Sequence, residues 1–307
     1  MTNVTSAAPN ESKQADVDLA LLHLALPKGR MHDGVLAILK EAGVSVRSSE
    51  RGYRPTVSLP NVETKILKPQ NVIEMLAAGS RDLGFAGKDW IEELEVSDRV
   101  VELLDTGLDP VRVVLAAPVA FLSNDGKLPL GRHVRIATEY ARLTQEYIDT
   151  NGLDASIVRS RGATEVFPPE DADAIVDNTA TGSTLRANGM AIIDDVMASS
   201  TRVYASAKAW ENPAKRQRIE EIVMLLRSVV EARKRVMLTL NVPREQFDAV
   251  LEMLPCMREP TVAELAHDQG YSISSAVLRK DLTVLIPKLK EAGGTDLIVS
   301  PINQIVP

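Results

Sequence analysis

Asp173-Ala174-Ile175-Val176-Asp177-Asn178-Thr179-Ala180-Thr181-Gly182-Ser183-Thr184-Leu185-Arg186 reads as a strand, a loop and the start of a helix. The apolar run 174–176 suits a buried strand, and it ends at an aspartate. Small hydroxyl residues around Gly182 follow, and a helix starts at Leu185. Backbone N–H groups at such a turn point toward an anion, hydroxyls add donors, and glycine lets the backbone come close. The unit therefore suits a phosphorylated sugar. Thr179, Ala180, Thr181, Gly182, Ser183 and Thr184 would surround the phosphate, with Asp177 toward the sugar hydroxyls. Ser or Thr before a helix is also an ordinary N-cap, and these residues alone do not separate the two readings.

Similar units lie upstream. Residues 21–26 form a strand, Pro27-Lys28-Gly29-Arg30 a tight basic loop, and Val35, Ile38, Leu39 and Ala42 fall at helical spacing with Gly43 at the end. Arg30 can grip phosphate through two parallel N–H bonds and Lys28 adds a point charge; solvated surface charges are the plain alternative. The polar, turn-rich stretch 48–60 brings Arg51 and Arg54, beside Arg47, to where a polyanion could be reached from a loop. Strands are expected at 64–67, 82–87, 111–117, 134–138 and 156–158, and helices at 71–78, 88–94 and 144–151. This alternation predicts a mostly parallel α/β sheet. Arg112, inside an apolar strand, marks an edge or a side chain aimed into a cleft. Glu165 stands in the loop twelve residues ahead of Asp177.

A long helix over 208–234, interrupted at Pro213, leads to a unit with its own pattern. Strands are expected at 236–242, 261–266, 271–278 and 296–306. Two helices carry Phe247, Val250, Leu251 and Leu254, and Leu282, Leu285, Ile286 and Leu289, with Pro287 kinking the second. The order β-α-β-β-α-β is the ferredoxin-like split unit. No catalytic-looking group stands out in it, which points to a regulatory or assembly module.

Composition bounds the rest. The 307 residues suggest two or three domains. A net charge of −7 with no dominant basic patch argues against a broad nucleic-acid surface. The single cysteine, Cys256, excludes an internal disulfide framework and reads as a buried small side chain. Residues 1–20 read as a disordered tail without the apolar core of a signal peptide, and no apolar run is long enough to span a bilayer. A cytoplasmic protein with no membrane partner is expected.

Taken in order, several of these stretches resemble one family. Leu26-Pro27-Lys28-Gly29-Arg30, Asp82-Leu83-Gly84-Phe85-Ala86-Gly87-Lys88-Asp89, Ala137-Thr138-Glu139-Tyr140 and the opening stretch through Gly189 are similar to the ATP phosphoribosyltransferases, the first enzymes of histidine biosynthesis. Glu259-Pro260-Thr261-Val262 and Leu297-Ile298-Val299-Ser300-Pro301-Ile302 resemble the regulatory domain of the long, self-regulated form. The resemblance covers nearly all of 21–307. It implies two periplasmic-binding-protein-like α/β lobes with the site in the cleft between them. Lobe I would hold 21–116 and 206–232, lobe II 117–205, and the regulatory domain 233–307.

The implied reaction moves phosphoribosyl from phosphoribosyl pyrophosphate to N1 of ATP, with magnesium carried on the pyrophosphate and no metal site on the protein. The implied roles put 179–184 on the 5-phosphate and Asp177 with Glu165 at the ribose. Arg30 and Arg54 would face the departing pyrophosphate, Arg51 being the alternative to Arg54. Lys28, Gly29 and Arg112 would line the nucleotide or pyrophosphate side. Val176, not a second acid, precedes Asp177, as is usual in the family. Long forms are homo-oligomers, dimer or hexamer, that bind histidine as inhibitor, and Asn241 and Thr261 match positions that contact it. Asn241 stands where an acid can occur, and an amide holds an ammonium less well than a carboxylate does, so weak inhibition is expected.

Two other readings differ in class. A two-lobed cleft also serves solute binding without chemistry, but a periplasmic binder needs an export signal. A subunit that lost catalysis and kept sensing fits poorly with an intact Asp177–Thr184 loop and the Lys28/Arg30 pair.

Overall fold

The structure, a computed structural model, describes residues 20–47, 52–129, 131–255 and 259–306; the tail before residue 20, Arg51 and Cys256 lie outside them. The first lobe runs β1 (Leu22–Pro27), α1 (Met31–Glu41), the hairpin β2 (Val46–Arg47) and β3 (Thr56–Val57), β4 (Val62–Leu67), α2 (Pro69–Ala77), β5 (Leu83–Gly87) and α3 (Lys88–Leu94). The long strand β6 (Val100–Pro118) leaves it. The second lobe holds β7 (Val134–Thr138), α4 (Ala141–Asn151), β8 (Ala155–Arg159), β9 (Ala174–Thr179) and α5 (Ser183–Ala187), and β10 (Met190–Ser206) returns to the first. Helices α6 (Ala207–Glu211) and α7 (Pro213–Arg233) follow. Among the described residues no helix is long and apolar enough to cross a membrane.

One eight-stranded sheet results, in the order β4-β1-β5-β10-β6-β9-β7-β8. Its outer strands pair in parallel, but the central β10 and β6 are antiparallel to each other and to their neighbours β5 and β9. The sheet is therefore mostly parallel, as expected, but with an antiparallel centre. The reason is that both central strands cross from one lobe to the other. β10 pairs with β5 through 201–205, and β6 pairs with β9 through 112–116. The register slips between Ser199 and Thr201, opposite Asp109 at φ 47°, and again between Thr201 and Arg202, opposite Gly107 at φ 65°. Such irregularities bend and twist a strand pair.

The sequence reading recovered only the second half of β6 and placed nothing at β10. Asp194, Asp195 and Ser199 break the apolar pattern of β10, yet each is bonded. Tyr147 Oη donates to Asp194 at 2.7 Å, Arg112 to Asp195 at 2.8 Å and Ser199 Oγ to Asp89 at 2.7 Å. Helix α4 starts at Ala141, three residues earlier than expected, without a local side-chain cap. The Glu93 carboxylate on α3 accepts instead from the Arg142 and Leu143 N–H groups at 3.1 and 3.0 Å. The expected interruption at Pro213 is a real break. Asn212 caps α7, its Oδ1 accepting from Lys215 N at 3.1 Å, and Pro213 occupies a first-turn position where its missing N–H costs nothing.

Under α1 and α7 the core holds Leu24, Leu26, Ile38, Phe85, Val203 and Leu226. On the opposite face Ile73, Trp90, Leu115, Tyr140, Leu143 and Tyr204 form one cluster that spans both lobes.

The C-terminal unit runs β11 (Arg235–Val242), α8 (Phe247–Met253), β12 (Thr261–Glu264), β13 (Tyr271–Leu278), α9 (Leu282–Glu291) and β14 (Thr295–Pro301). Its antiparallel sheet has the order β12-β13-β11-β14 over a core that includes Val236, Leu238, Leu240, Val250, Ile273 and Leu289. This is the ferredoxin-like arrangement. Helix α9 continues through Pro287. β14 ends at Pro301, short of the expected 306, because the chain turns back onto the first lobe. Ile305 N donates to Ser228 O and Gln304 Nε2 to Glu41 O, both at 3.0 Å.

Gly87 closes the junction of β5 and α3. A Cβ there would sit 2.0 Å from Asp89 Oδ1 and 3.0 Å from Ser199 Oγ. Gly87→Ala is expected to destabilise the fold by about 1–3 kcal/mol through overpacking, read as a lowered Tm; an unchanged Tm would contradict this closure.

Candidate active site

A cavity of about 450 Å³ opens where β9 ends. Arg30, at the turn from β1 into α1, lines it from the first lobe. The second lobe supplies Glu139, Gly162, Ala163, Glu165, Asp177, Asn178, Thr179, Ala180, Thr181, Ser183, Thr184 and Leu185. The basic turn and the hydroxyl loop, far apart in sequence, thus meet.

The loop owes its shape to its composition. Ala174, Ile175 and Val176 are fully buried and fix the strand that delivers Asp177. Gly182, at φ +72°, stands at the N-terminus of α5, where a Cβ would meet Arg186 Nη1 at 3.0 Å and Ile192 Cδ1 at 3.1 Å. Only glycine takes that conformation without strain. Gly182 N donates to Thr179 Oγ1 at 2.9 Å, and Thr181 Oγ1 donates to Ser183 Oγ at 3.0 Å. No side chain caps α5, which begins at Ser183. Thr181 Oγ1 also accepts from Ser183 N at 3.4 Å, so loop hydroxyls bond the backbone that leads into α5.

The cavity concentrates negative charge. Burial pushes the Asp177 carboxyl up to about 6; the Asn178 N–H, donating at 2.7 Å, opposes this, while Glu139 and Glu165 reinforce it. Burial also raises Glu139, eased by Lys68. Arg30 is the one cation among the lining residues. Three carboxylates against one guanidinium make a place where developing positive charge is stabilised. Glu139 and Asn178 were not singled out for the site from the sequence. Glu139 stands in the quoted Ala137-Thr138-Glu139-Tyr140 stretch, directly after β7, and that position was the available signal.

Other expected site residues lie outside this lining. Lys28 is exposed, its Nζ donating to Tyr53 Oη at 3.5 Å and standing 5.3 Å from the ring centroid. Gly29, at φ +82°, gives the turn its conformation, and His32 Nδ1 lies 2.9 Å from Pro27 O across it. Arg54 is exposed in the segment after Tyr53. Arg112 reaches Asp195 on β10 and not the cavity. In the C-terminal unit Asn241 Nδ2 donates to Asp296 Oδ2 at 3.0 Å. Thr261 stands opposite Ser274 and Asn241 opposite Ser272, so β13 separates the two positions. Among the described residues, no group of three or more His, Cys, Asp or Glu side chains is placed to hold a metal ion.

Comparison with known proteins agrees with this geometry. The profile of the ATP phosphoribosyltransferase family (HisG) matches residues 68–228, and that of the HisG C-terminal domain matches 232–304. The ATP phosphoribosyltransferase of Chlorobium phaeovibrioides is 36% identical over 93% of this chain and 98% of its own length. That of Chlorobium luteolum is 37% identical with the same coverage. Among solved structures, the ATP phosphoribosyl transferase (HisG:HisZ) complex from Thermotoga maritima matches with 29% identity and a TM-score of 0.59. The match covers 69% of this chain and 99% of that one. A two-lobed α/β catalytic half, a HisG C-terminal domain and relatives that align end to end place the chain in the ATP phosphoribosyltransferase family, the enzymes of the first step of histidine biosynthesis.

Proposed function

We propose that the cavity between Arg30 and the Asp177–Thr184 loop is where phosphoribosyl passes from phosphoribosyl pyrophosphate to N1 of ATP. The supporting observation is that the hydroxyl loop and its carboxylates face an arginine delivered by the other lobe. Displacement at the anomeric carbon develops positive charge on the sugar and negative charge on the leaving pyrophosphate. Adenine N1 attacks through its own lone pair and needs no strong base, so the work is positioning and charge stabilisation. Loop 179–184 holds the 5-phosphate. Asp177 and Glu165 take the ribose hydroxyls and stabilise the cation-like ring, with Glu139 adding to the same field. Arg30 balances the departing charge, joined by Arg54 from the exposed segment after Tyr53. Lys28, Gly29 and Arg112 line the nucleotide or pyrophosphate side, Arg112 already partly neutralised by Asp195. Magnesium enters as part of the magnesium–phosphoribosyl pyrophosphate substrate.

In this reading, 21–116 with 206–232 form one catalytic lobe, 117–205 the other, and 233–307 a regulatory domain, the crossing strands being shared at the seam. The enzyme is a cytoplasmic homo-oligomer, dimer or hexamer, with no nucleic-acid or membrane partner. Histidine is its feedback inhibitor, bound through Asn241 and Thr261. Those positions lie on one face of the sheet, roughly 12 Å apart by strand spacing.

Three measurements test the reading. Arg30→Ala combined with Arg54→Ala is expected to lower kcat by about 10²–10³-fold; an intact turnover would remove the leaving-group role. Histidine is expected to inhibit at high micromolar concentration or above, and tight inhibition would contradict the weakening assigned to Asn241. Asp177→Asn is expected to abolish activity while stabilising the fold at neutral pH. Because the folded-state pKa of Asp177 is raised, its protonation contributes stability that is complete below about pH 4 and lost as pH rises through about 6. The always-neutral amide should therefore gain about 1–3 kcal/mol near pH 7.5 and nothing near pH 4. A Tm difference equal at both pH values would contradict the buried carboxylate.

A further inference from the structure

A hydrogen-bonded path runs from the first lobe to Asp177. Asp89, at the start of α3, is 3% exposed. Its carboxylate accepts from Ser199 Oγ and from Tyr140 Oη, both at 2.7 Å. Ser199 lies on β10 where the strand pairing passes between lobes, and Tyr140 lies between β7 and α4 in the second lobe. Tyr140 Oη in turn accepts from Asn178 Nδ2 at 2.9 Å, and Asn178 donates to Asp177 Oδ1 both through its side-chain Nδ2 at 3.4 Å and through its backbone N–H at 2.7 Å.

The path has a direction. Burial and the Asp89 carboxylate hold the Tyr140 phenol protonated far above the ordinary tyrosine range. Its single proton is committed to Asp89, so toward Asn178 it can only accept. That fixes the Asn178 amide with its nitrogen facing Tyr140. The surroundings are apolar. Trp90 stacks on Tyr140 with ring centroids 4.8 Å apart, and the cluster continues through Leu115 and Leu143. A polar link there serves geometry that apolar packing alone would leave loose.

We propose that Tyr140 and Asn178 are positioning residues for phosphoribosyl transfer: Tyr140, anchored on Asp89 of the first lobe, orients Asn178, and Asn178 fixes Asp177 in the cavity opposite Arg30. The proposal rests on the role of Asp177 at the sugar given above. The anomeric carbon moves away from pyrophosphate and toward the nucleobase, so the group that steadies the ring must hold its place relative to the group that receives the leaving charge. A misplacement of about 1 Å costs roughly 10²-fold in rate.

The test uses full-length enzyme with saturating ATP and phosphoribosyl pyrophosphate. Tyr140→Phe keeps the ring and its stack and removes only the hydroxyl. It is expected to lower kcat about 10–100-fold, with KM for phosphoribosyl pyrophosphate changed less than about threefold. The Tyr140→Phe/Asn178→Ala pair should be no slower than Asn178→Ala alone, because the first acts through the second. Trp90→Phe, which disturbs the stack and no hydrogen bond, should leave kcat within about twofold. Asp89→Asn, similar in shape at the anchor, gives a second route if Tyr140→Phe folds poorly and should lower kcat in the same direction. Multiplicative effects of Tyr140→Phe and Asn178→Ala would overturn the proposal. So would a Tyr140→Phe enzyme that loses Tm but keeps its kcat, or a Trp90→Phe enzyme as slow as Tyr140→Phe. Asp177→Asn is assayed alongside. If it is inactive while Tyr140→Phe is not impaired, only the positioning proposal fails; if it is active, the sugar-side reading fails first.

Discussion

The antiparallel pair β6–β10 is the constraint on which the rest depends. β5 runs antiparallel to β10, β10 to β6, and β6 to β9. The parallel strands β1 and β5 of the first lobe therefore point against β9 and β7 of the second. Each lobe sends the carboxyl ends of its strands toward the seam, the position where open α/β sheets bind ligands. Arg30 follows β1, Glu139 follows β7 and the hydroxyl loop follows β9. Two strands crossing in opposite directions thus bring three carboxyl-terminal loops to one cavity. The same pair ties the lobes together through Ser199 on one face, while α3 and α4 are joined by Glu93 and by the Trp90–Tyr140 stack.

Charge in the cavity follows from this geometry. Carboxylates delivered by separate loops of the second lobe share a partly desolvated space, and burial is the largest cause of the raised Asp177 pKa. Such a site holds a deficit of positive charge that a cation-like sugar can relieve. The one guanidinium of the lining, Arg30, comes from the opposing lobe, across from the three carboxylates. The C-terminal unit is attached to the first lobe through the continuous α7–β11 connection and the returning tail at Gln304 and Ile305.

Much of this was legible in the sequence, for identifiable reasons. The strands β1, β5, β7 and β9 are short apolar runs followed by turn residues, and the C-terminal helices carry clear i, i+3, i+4, i+7 spacing. What escaped was set by distant partners. Asp194 and Asp195 spoil the pattern of β10 locally, and only Tyr147 and Arg112 make them tolerable. Gly107, Asp109 and Pro110 are turn-type residues that gave no strand signal, yet they lie within β6. The start of α4 depends on Glu93 from the other lobe. At the site, Asp177 and the loop were readable because they are contiguous, whereas the role expected of Glu165 came from the family resemblance. Glu139 had only its place in the quoted 137–140 stretch as a signal, and the Asp89–Tyr140–Asn178 path needed the fold, since no local spacing links residues from three elements.

Inhibition by ribose 5-phosphate, which carries the sugar and its phosphate but no pyrophosphate, tests the central claim most directly. The claim is that the two lobes divide the substrate, sugar phosphate on one side and leaving group on the other. Competition against phosphoribosyl pyrophosphate should weaken by about tenfold or more in a Thr181→Val/Thr184→Val enzyme, which loses hydroxyl donors to the phosphate. It should stay within about twofold of the parent enzyme in Arg30→Ala, whose side chain has no partner on this ligand. If Arg30→Ala weakened ribose 5-phosphate as much as the loop variant does, the division between lobes would be contradicted.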